Sequence, residues 1–276
     1  MAKIDKYHQN KVLYYIRHDL RELPEGDYGK ENDSIDLTIS KDVNYSLINR
    51  GNTADEINNY RLNLEKEIFK YNRTNLVHAV EIVIQCPSDC PKEQHEVFFQ
   101  ECHNYICSTL PMGEKCVIVS EVHRDEHFKN NEEVVLDKKG NCLSKEHLHL
   151  MFVPAVPDLK HEDYDYKLCA DQLTRRSNLK AFHPGLQKHL QDNGIEGTVY
   201  NPNKKGISLG LSVKQLKELT RATGKTFEEG ITVEKLAEII NENEMLKEKL
   251  AEIEATKERT WGEADWGKER TWENEF

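Results

Sequence analysis

Apolar positions recur with readable periods up to about residue 215, and they predict alternating strands and helices. KVLYYIR (11–17) is a short β-branched and aromatic run and reads as a strand. The stretch 24–52 is rich in Gly, Asp, Asn and Ser, with a weakly strand-like IDLTI at 35–39. A helix is predicted over 54–71. Thr53 suits its N-cap with Glu56 three residues on, and Ile57, Tyr60, Leu64, Ile68 and Tyr71 make an apolar stripe. Leu76–Gln85 reads as a strongly apolar strand, and 92–109 as an amphipathic helix with Val97, Phe98, Cys102, Tyr105 and Ile106 on one face. Residues 115–123 and 147–153 read as strands, the second closed by Pro154 and Pro157. Residues 168–192 and 212–222 look helical, separated by a Gly/Asn/Pro/Lys loop over 193–210.

This order predicts an α+β fold, with helices packed on a largely antiparallel sheet. From about 232 the pattern changes. Leu236, Ile239, Asn243, Leu246, Leu250 and Ile253 alternate by three and four, a coiled-coil seam with a buried amide at Asn243 to fix register. The expected organisation is therefore a catalytic domain over 1–226, a coiled-coil dimerisation segment over 227–256 that pairs two chains through 232–254, and a charged tail over 257–276 in which KERTW occurs twice.

Composition changes the picture in three places. The longest apolar stretch contains His78 and Glu81 and is far short of a membrane span, and the polar start has no signal-peptide core, so an integral membrane protein and a secreted protein are both excluded. Seven cysteines without a disulfide framework point to the reducing cytoplasm, and Cys86 and Cys90, flanking the turn CPSDC, read as ordinary thiols because no second close pair accompanies them. The net charge of −11 argues against nucleic acid only until it is divided. Residues 167–226 carry 11 Lys and Arg against 4 Asp and Glu, a local basic face able to meet phosphates.

The candidate chemistry lies in five residues. In HLHLMFV the strand period of two puts His147 and His149 on one face and Leu148 and Leu150 on the other. If 115–123 and 147–153 pair as a hairpin, His123 joins them, and three neutral imidazoles surround one point. That donor set suits a divalent transition metal acting as a Lewis acid. Asp125 and Glu126 follow at once and can orient a ligand or accept a proton.

HRDE (123–126) followed by HLHLMFVP (147–154) resembles the third motif of the Mob or Pre plasmid mobilisation relaxases, the MobV plasmid recombination enzymes of the HUH endonuclease superfamily. RHDLR (17–21) is similar to their first motif, and NDSIDLTISKDVNYSL (32–47) to their second, with its closing Asn-Tyr pair. Residues 168–199 resemble the helix after the metal strand, and the likeness extends over roughly 8–225. Two features depart from the family pattern. Twenty residues (127–146) separate the acidic pair from His147, with Glu146 in place of a Pro, and Asp42 stands where a His often precedes the second-motif Asn.

The resemblance implies a metal-dependent DNA relaxase, with Mn2+ or Mg2+ held by His123, His147 and His149. Such an enzyme nicks one strand at an origin of transfer by transesterification and leaves a covalent 5′-phosphate adduct. The family's nucleophile maps onto His18, with Glu126 orienting or deprotonating it; Tyr45, and with it Tyr14 and Tyr15, is the alternative nucleophile. Arg21 and Asn44 are expected to hold DNA, and Arg175, Arg176, Lys180, Lys188, Lys204 and Lys205 are candidate phosphate contacts. A non-cleaving origin-binding protein and an HUH replication initiator are the alternatives that the residues leave open.

Overall fold

The alternation in AKIDKYH makes β1 (Ala2–His8), which runs straight into α1 (Gln9–Asp19). The computed structural model describes residues 2–28, 35–126, 129–130, 133–134 and 146–200. The expected strand over 11–17 is thus a helix. Val12, Ile16 and Asp19 are its buried positions, spaced by four and three, and no Gly or Pro breaks the run. A five-residue apolar block fits either period, and here packing of the helical stripe wins.

After α1 come α2 (Ser40–Val43), β2 (Tyr45–Ser46) and α3 (Ala54–Leu64). IDLTI forms no strand. Ile35 makes one isolated bridge to Glu126, and the chain then turns into α2. Thr53 caps α3 as predicted, its side chain accepting from the Glu56 N–H. The helix stops at Leu64 instead of 71, because Ile68 and Phe69 leave it to form β3 (Ile68–Phe69). Then follow β4 (Val77–Gln85), α4 (His95–Thr109), β5 (Val117–His123), a small hairpin of β6 (Lys129–Asn130) and β7 (Glu133–Val134), and β8 (His147–Phe152). Two unforeseen short strands, β9 (Ala155–Pro157) and β10 (Tyr166–Leu168), precede α5 (Ala170–Leu173) and α6 (Arg176–Asp192), which divide the helix expected over 168–192.

The main sheet is antiparallel throughout, in the order β1-β4-β8-β5-β2, and a second sheet has the order β3-β10-β9. Register divides the main sheet into two faces. Leu148 and Leu150 lie opposite Val122 and Ser120, and Ser120 meets His103 of α4, so α4 covers that face with α6 beyond it. His123, His147, His149 and Glu81 point the other way, toward α1, with α3 beside α1. Phe98, Phe99, Ile106, Leu148 and Leu150 fill the core on the first side, and Ile16 packs on the second. The proposed coiled coil, the helix expected over 212–222, the tail repeat, Lys204 and Lys205 all fall outside the described residues.

Candidate metal and nucleophile site

Strand pairing builds the site. His123 sits directly opposite His147 on the β5–β8 ladder, and His149 lies two residues along the same face. The ring centroids are 5.2 Å apart for His123–His147, 4.5 Å for His123–His149 and 4.9 Å for His147–His149, and one donor nitrogen from each ring lies within 4.8 Å of the others. All three rings are buried. The three histidines that the sequence reading joined do converge, and the long insert between Glu126 and Glu146 leaves their ladder intact.

Two carboxylates behind the rings were not foreseen. Asp19, at the end of α1, is 1% exposed, and Glu81, from the adjacent strand β4, is 3% exposed. His149 Nδ1 is 2.5 Å from Glu81 Oε1 and 3.3 Å from Asp19 Oδ1. Tyr7 donates its hydroxyl to the other oxygen of Glu81. His123 Nε2 is 2.7 Å from the backbone carbonyl of Asp19, and its buried Nδ1 has no hydrogen-bond partner among the described residues. Burial opposes charge on His149, but Asp19 and Glu81 overcome it and raise its pKa to about 9. Burial, reinforced by His149, holds His123 well below the usual range. Burial and Glu81 push Asp19 up to about 6, against the pull of His149. Glu81 itself stays below the carboxylate range, because His149 outweighs its burial.

The first motif arrives from the helix end. His18 Nδ1 is 3.2 Å from Asp19 Oδ1, the same oxygen that faces His149, and the His18 and His149 ring centroids are 6.1 Å apart. Position 18 is therefore tied to the three-histidine cluster through one buried carboxylate.

A family model described as plasmid recombination enzyme matches residues 1–205. The chain belongs to the plasmid recombination enzyme family. Among solved structures, it is similar to the MobM relaxase domain bound to plasmid pMV158 oriT DNA, a Mn-bound crystal structure at pH 6.8. The identity is 20%, the TM-score is 0.57, and the match covers 79% of this chain and 97% of that one. A second Mn-bound MobM complex, at pH 5.5, gives 21% identity and a TM-score of 0.56 over 79% and 97% of the two chains. At that identity the likeness shows the relaxase fold. No curated protein matches.

In this plasmid recombination enzyme the three imidazoles fit a divalent cation. One buried ring nitrogen of the group has no hydrogen-bond partner among the described residues, and a carboxylate stands behind His149 as metal-ligating histidines require. Asp125 takes a different part from the one expected. Its carboxylate receives Arg21 Nε and Nη2, both at 2.8 Å, and the Ser40 hydroxyl at 2.7 Å, while the carboxylates beside His149 are those of Asp19 and Glu81. Glu126 Oε1 is 3.0 Å from Arg21 Nη2 and 3.5 Å from His147 Nε2, and the hydrogen bond of His18 runs to Asp19. Burial would raise the Glu126 carboxyl, but His147 and Arg21 hold it below the usual range.

Arg21 has φ +57 and a side chain only 5% exposed. Its guanidinium is committed to Asp125 and Glu126, which makes it a strut rather than a donor open to DNA. Asn44 Oδ1 accepts the Arg124 N–H at 2.7 Å. Tyr45 pairs with Val122 and so lies on the sheet face opposite the histidines, under the Arg124 guanidinium and with its buried hydroxyl unpartnered among the described residues. Tyr15 stacks on Tyr7, and the Tyr14 hydroxyl donates to Asp27 O. Arg175, Arg176, Lys180 and Lys188 belong to α6 or its N-cap, which packs against α4, the helix covering the sheet face opposite the imidazoles. For Glu81 the sequence did carry a signal: a charge inside an otherwise apolar strand must find a partner.

Proposed function

We propose that this plasmid recombination enzyme is a relaxase that nicks one DNA strand at an origin of transfer, with His18 as the nucleophile. The carrying observation is Asp19, whose one carboxylate oxygen lies within hydrogen-bond reach of both His18 and His149. With Nδ1–H turned to Asp19, the His18 Nε2 lone pair is presented for attack. The new N–P bond forms as the bond from phosphorus to the 3′ oxygen breaks. The 3′ oxygen takes one proton from solvent and leaves as a hydroxyl, and the 5′ phosphate stays on His18. Reversal by a 3′ hydroxyl reseals the strand, and no other energy source is needed. A divalent cation, Mn2+ or Mg2+, held by His123, His147 and His149 would supply Lewis-acid polarisation of the scissile phosphate. Glu81 and Asp19 keep the His149 ring turned for that task, and Tyr7 steadies Glu81.

Asp19 is assigned to accepting the His18 Nδ1 proton as the N–P bond forms, Glu126 to steadying His147, and Arg21 to holding Glu126 and Asp125 in place. Asn44 fixes the backbone just after His123. The α6 residues Arg175, Arg176, Lys180 and Lys188 are assigned phosphate contacts that set the path of the DNA beyond the site. Support for DNA as the substrate comes from the family and from the MobM complexes with oriT DNA.

The test uses supercoiled plasmid carrying the chain's own origin, with Mn2+ or Mg2+. A covalent protein–DNA adduct is expected from the wild type, and none with chelator or from His18→Ala. An adduct from His18→Ala, or none from the wild type with either metal, refutes the assignment. Origin binding that is indifferent to chelator, with no nicking, would select the non-cleaving alternative.

A further inference from the structure

Cys86 follows β4 directly, Cys90 closes the CPSDC turn, and His95 opens α4. From the sequence the two thiols look ordinary, because a zinc site wants four donors and only two stand together. The fold supplies a third. One donor atom each from Cys86, Cys90 and His95 lies within 4.8 Å of the others. Cys86 is 4% and Cys90 7% exposed.

The histidine is set as a ligand. His95 Nδ1 is 3.1 Å from the Glu146 carboxylate, while Nε2 turns back toward the cysteine turn, 3.3 Å from the Cys90 carbonyl. A ring whose one nitrogen is held by a carboxylate is the arrangement that orients zinc-ligating histidines, and on binding Nε2 exchanges its contact with the Cys90 carbonyl for the metal. Two sulfurs and one nitrogen are also a soft donor set, unlike the all-nitrogen cluster on the sheet. With Zn–S near 2.3 Å, the donors of a tetrahedral site stand about 3.8 Å apart, so the ligands here need to close by about 1 Å at most.

The turn is braced from outside. Thr198 N–H donates to Asp89 Oδ1 at 3.0 Å and Glu196 N–H to Gln94 Oε1 at 2.7 Å. Gly197, at φ +124, passes so close that a Cβ there would lie 3.1 Å from Cys90 Cβ.

We propose that Cys86, Cys90 and His95 bind one Zn2+ as a structural site separate from the three-histidine cluster, with a water in the fourth position. Binding takes both sulfurs as thiolates and releases their two protons. The site staples the end of β4 to the start of α4. It also braces the approach to β8, because Cys86 N–H donates to Glu146 O at 2.8 Å, and Glu146 immediately precedes His147. Arg124 Nε, just after His123, donates to the same Glu146 carboxylate at 3.0 Å. The zinc thus fixes the two strand ends between which the 127–146 insert leaves and returns.

The experiment measures metal content of full-length protein from zinc-supplemented cells and the spectrum of its Co2+-substituted form. The variant His147→Ala/His149→Ala, which empties the cluster on the sheet, should retain one zinc per chain, whereas Cys86→Ser/Cys90→Ser should lose it. Co2+ in the wild type should show thiolate-to-cobalt charge-transfer absorption, a readout that stands even if the cysteine variant fails to fold. Zinc lost from the histidine variant, cobalt bound without thiolate absorption, or a Cys86–Cys90 disulfide in anaerobically purified protein would each overturn the proposal.

Discussion

Asp19→Asn separates the nucleophile from the metal more cleanly than any other single change. Asparagine has the same shape, and the backbone carbonyl that binds His123 is untouched. His149 keeps Glu81 at 2.5 Å. Losing one of two orienting carboxylates should therefore weaken Mn2+ affinity only at the lower end of the roughly 10–100-fold range seen for such partners. Asparagine keeps an oxygen that can accept from the His18 ring but loses the charge. A hydrogen bond to a charged group exceeds a neutral one by about 1–1.5 kcal/mol, so nicking at saturating Mn2+ should slow by about 5–12-fold. The melting temperature of metal-free protein should not fall, because the lost charge is one that burial and Glu81 already oppose. Single-turnover nicking of an end-labelled origin strand across a Mn2+ titration, with metal affinity measured by calorimetry, separates the two effects. If added Mn2+ restores the wild-type rate, Asp19 acts on the metal alone and its link to His18 is refuted.

Three further outcomes follow from named contacts. Glu65, 1% exposed after α3, takes Arg61, His78 and Lys70, and Glu65→Gln should cost about 3–5 kcal/mol by leaving the buried Arg61 charge uncompensated, with only Asn58 to accept from it among the described residues. Burial would raise the Glu65 carboxyl, but His78 and Arg61 hold it below the usual range. Its stabilisation is therefore complete above about pH 4.3, the unfolded value, and is lost as pH falls through the lower folded value. The melting-temperature gap between wild type and Glu65→Gln should close in acid, and a gap that persists there refutes the assignment. Tyr45→Phe should leave adduct formation and melting temperature unchanged, since the hydroxyl is buried without a partner on the far face; loss of the adduct would move the nucleophile to Tyr45. Arg21→Lys loses the two-pronged grip on Asp125 and should lower both melting temperature and nicking while DNA affinity holds; a selective loss of DNA affinity, measured by gel shift, would make Arg21 a phosphate ligand after all.

What the sequence discloses depends on how local the cause is. His147 and His149 share a face because a strand alternates, and Thr53 caps α3 because a hydroxyl meets an N–H three residues on; both causes lie within a few residues. The pairing of β5 with β8 could be guessed because one hairpin brings His123 to His147. Glu81 belongs to the neighbouring strand β4, and its contact with His149 depends on the order of strands in the sheet, which no local pattern encodes. His95 and Glu146 likewise meet Cys86 and Cys90 only after α4 and β8 have taken their places.

The helix in place of a strand at 11–17 matters beyond that segment, because it carries on through His18 and Asp19. Had a strand run on through them, neighbouring side chains would point to opposite faces and Asp19 would be turned away from whatever His18 touched. At the end of a helix, successive side chains are about 100° apart around the axis, and both can face one site. The left-handed turn at Arg21 then carries the guanidinium back to Asp125 and Glu126. Three residues of HDLR thus reach the cluster from a single helix terminus: His18 with a free ring nitrogen, Asp19 with a carboxylate and a carbonyl, and Arg21 with its fork. The same four letters in an extended chain would present His18 and Leu20 together and set Asp19 and Arg21 on the other side. Whether α1 is helical therefore decides whether the first motif can act on the metal-facing rings at all.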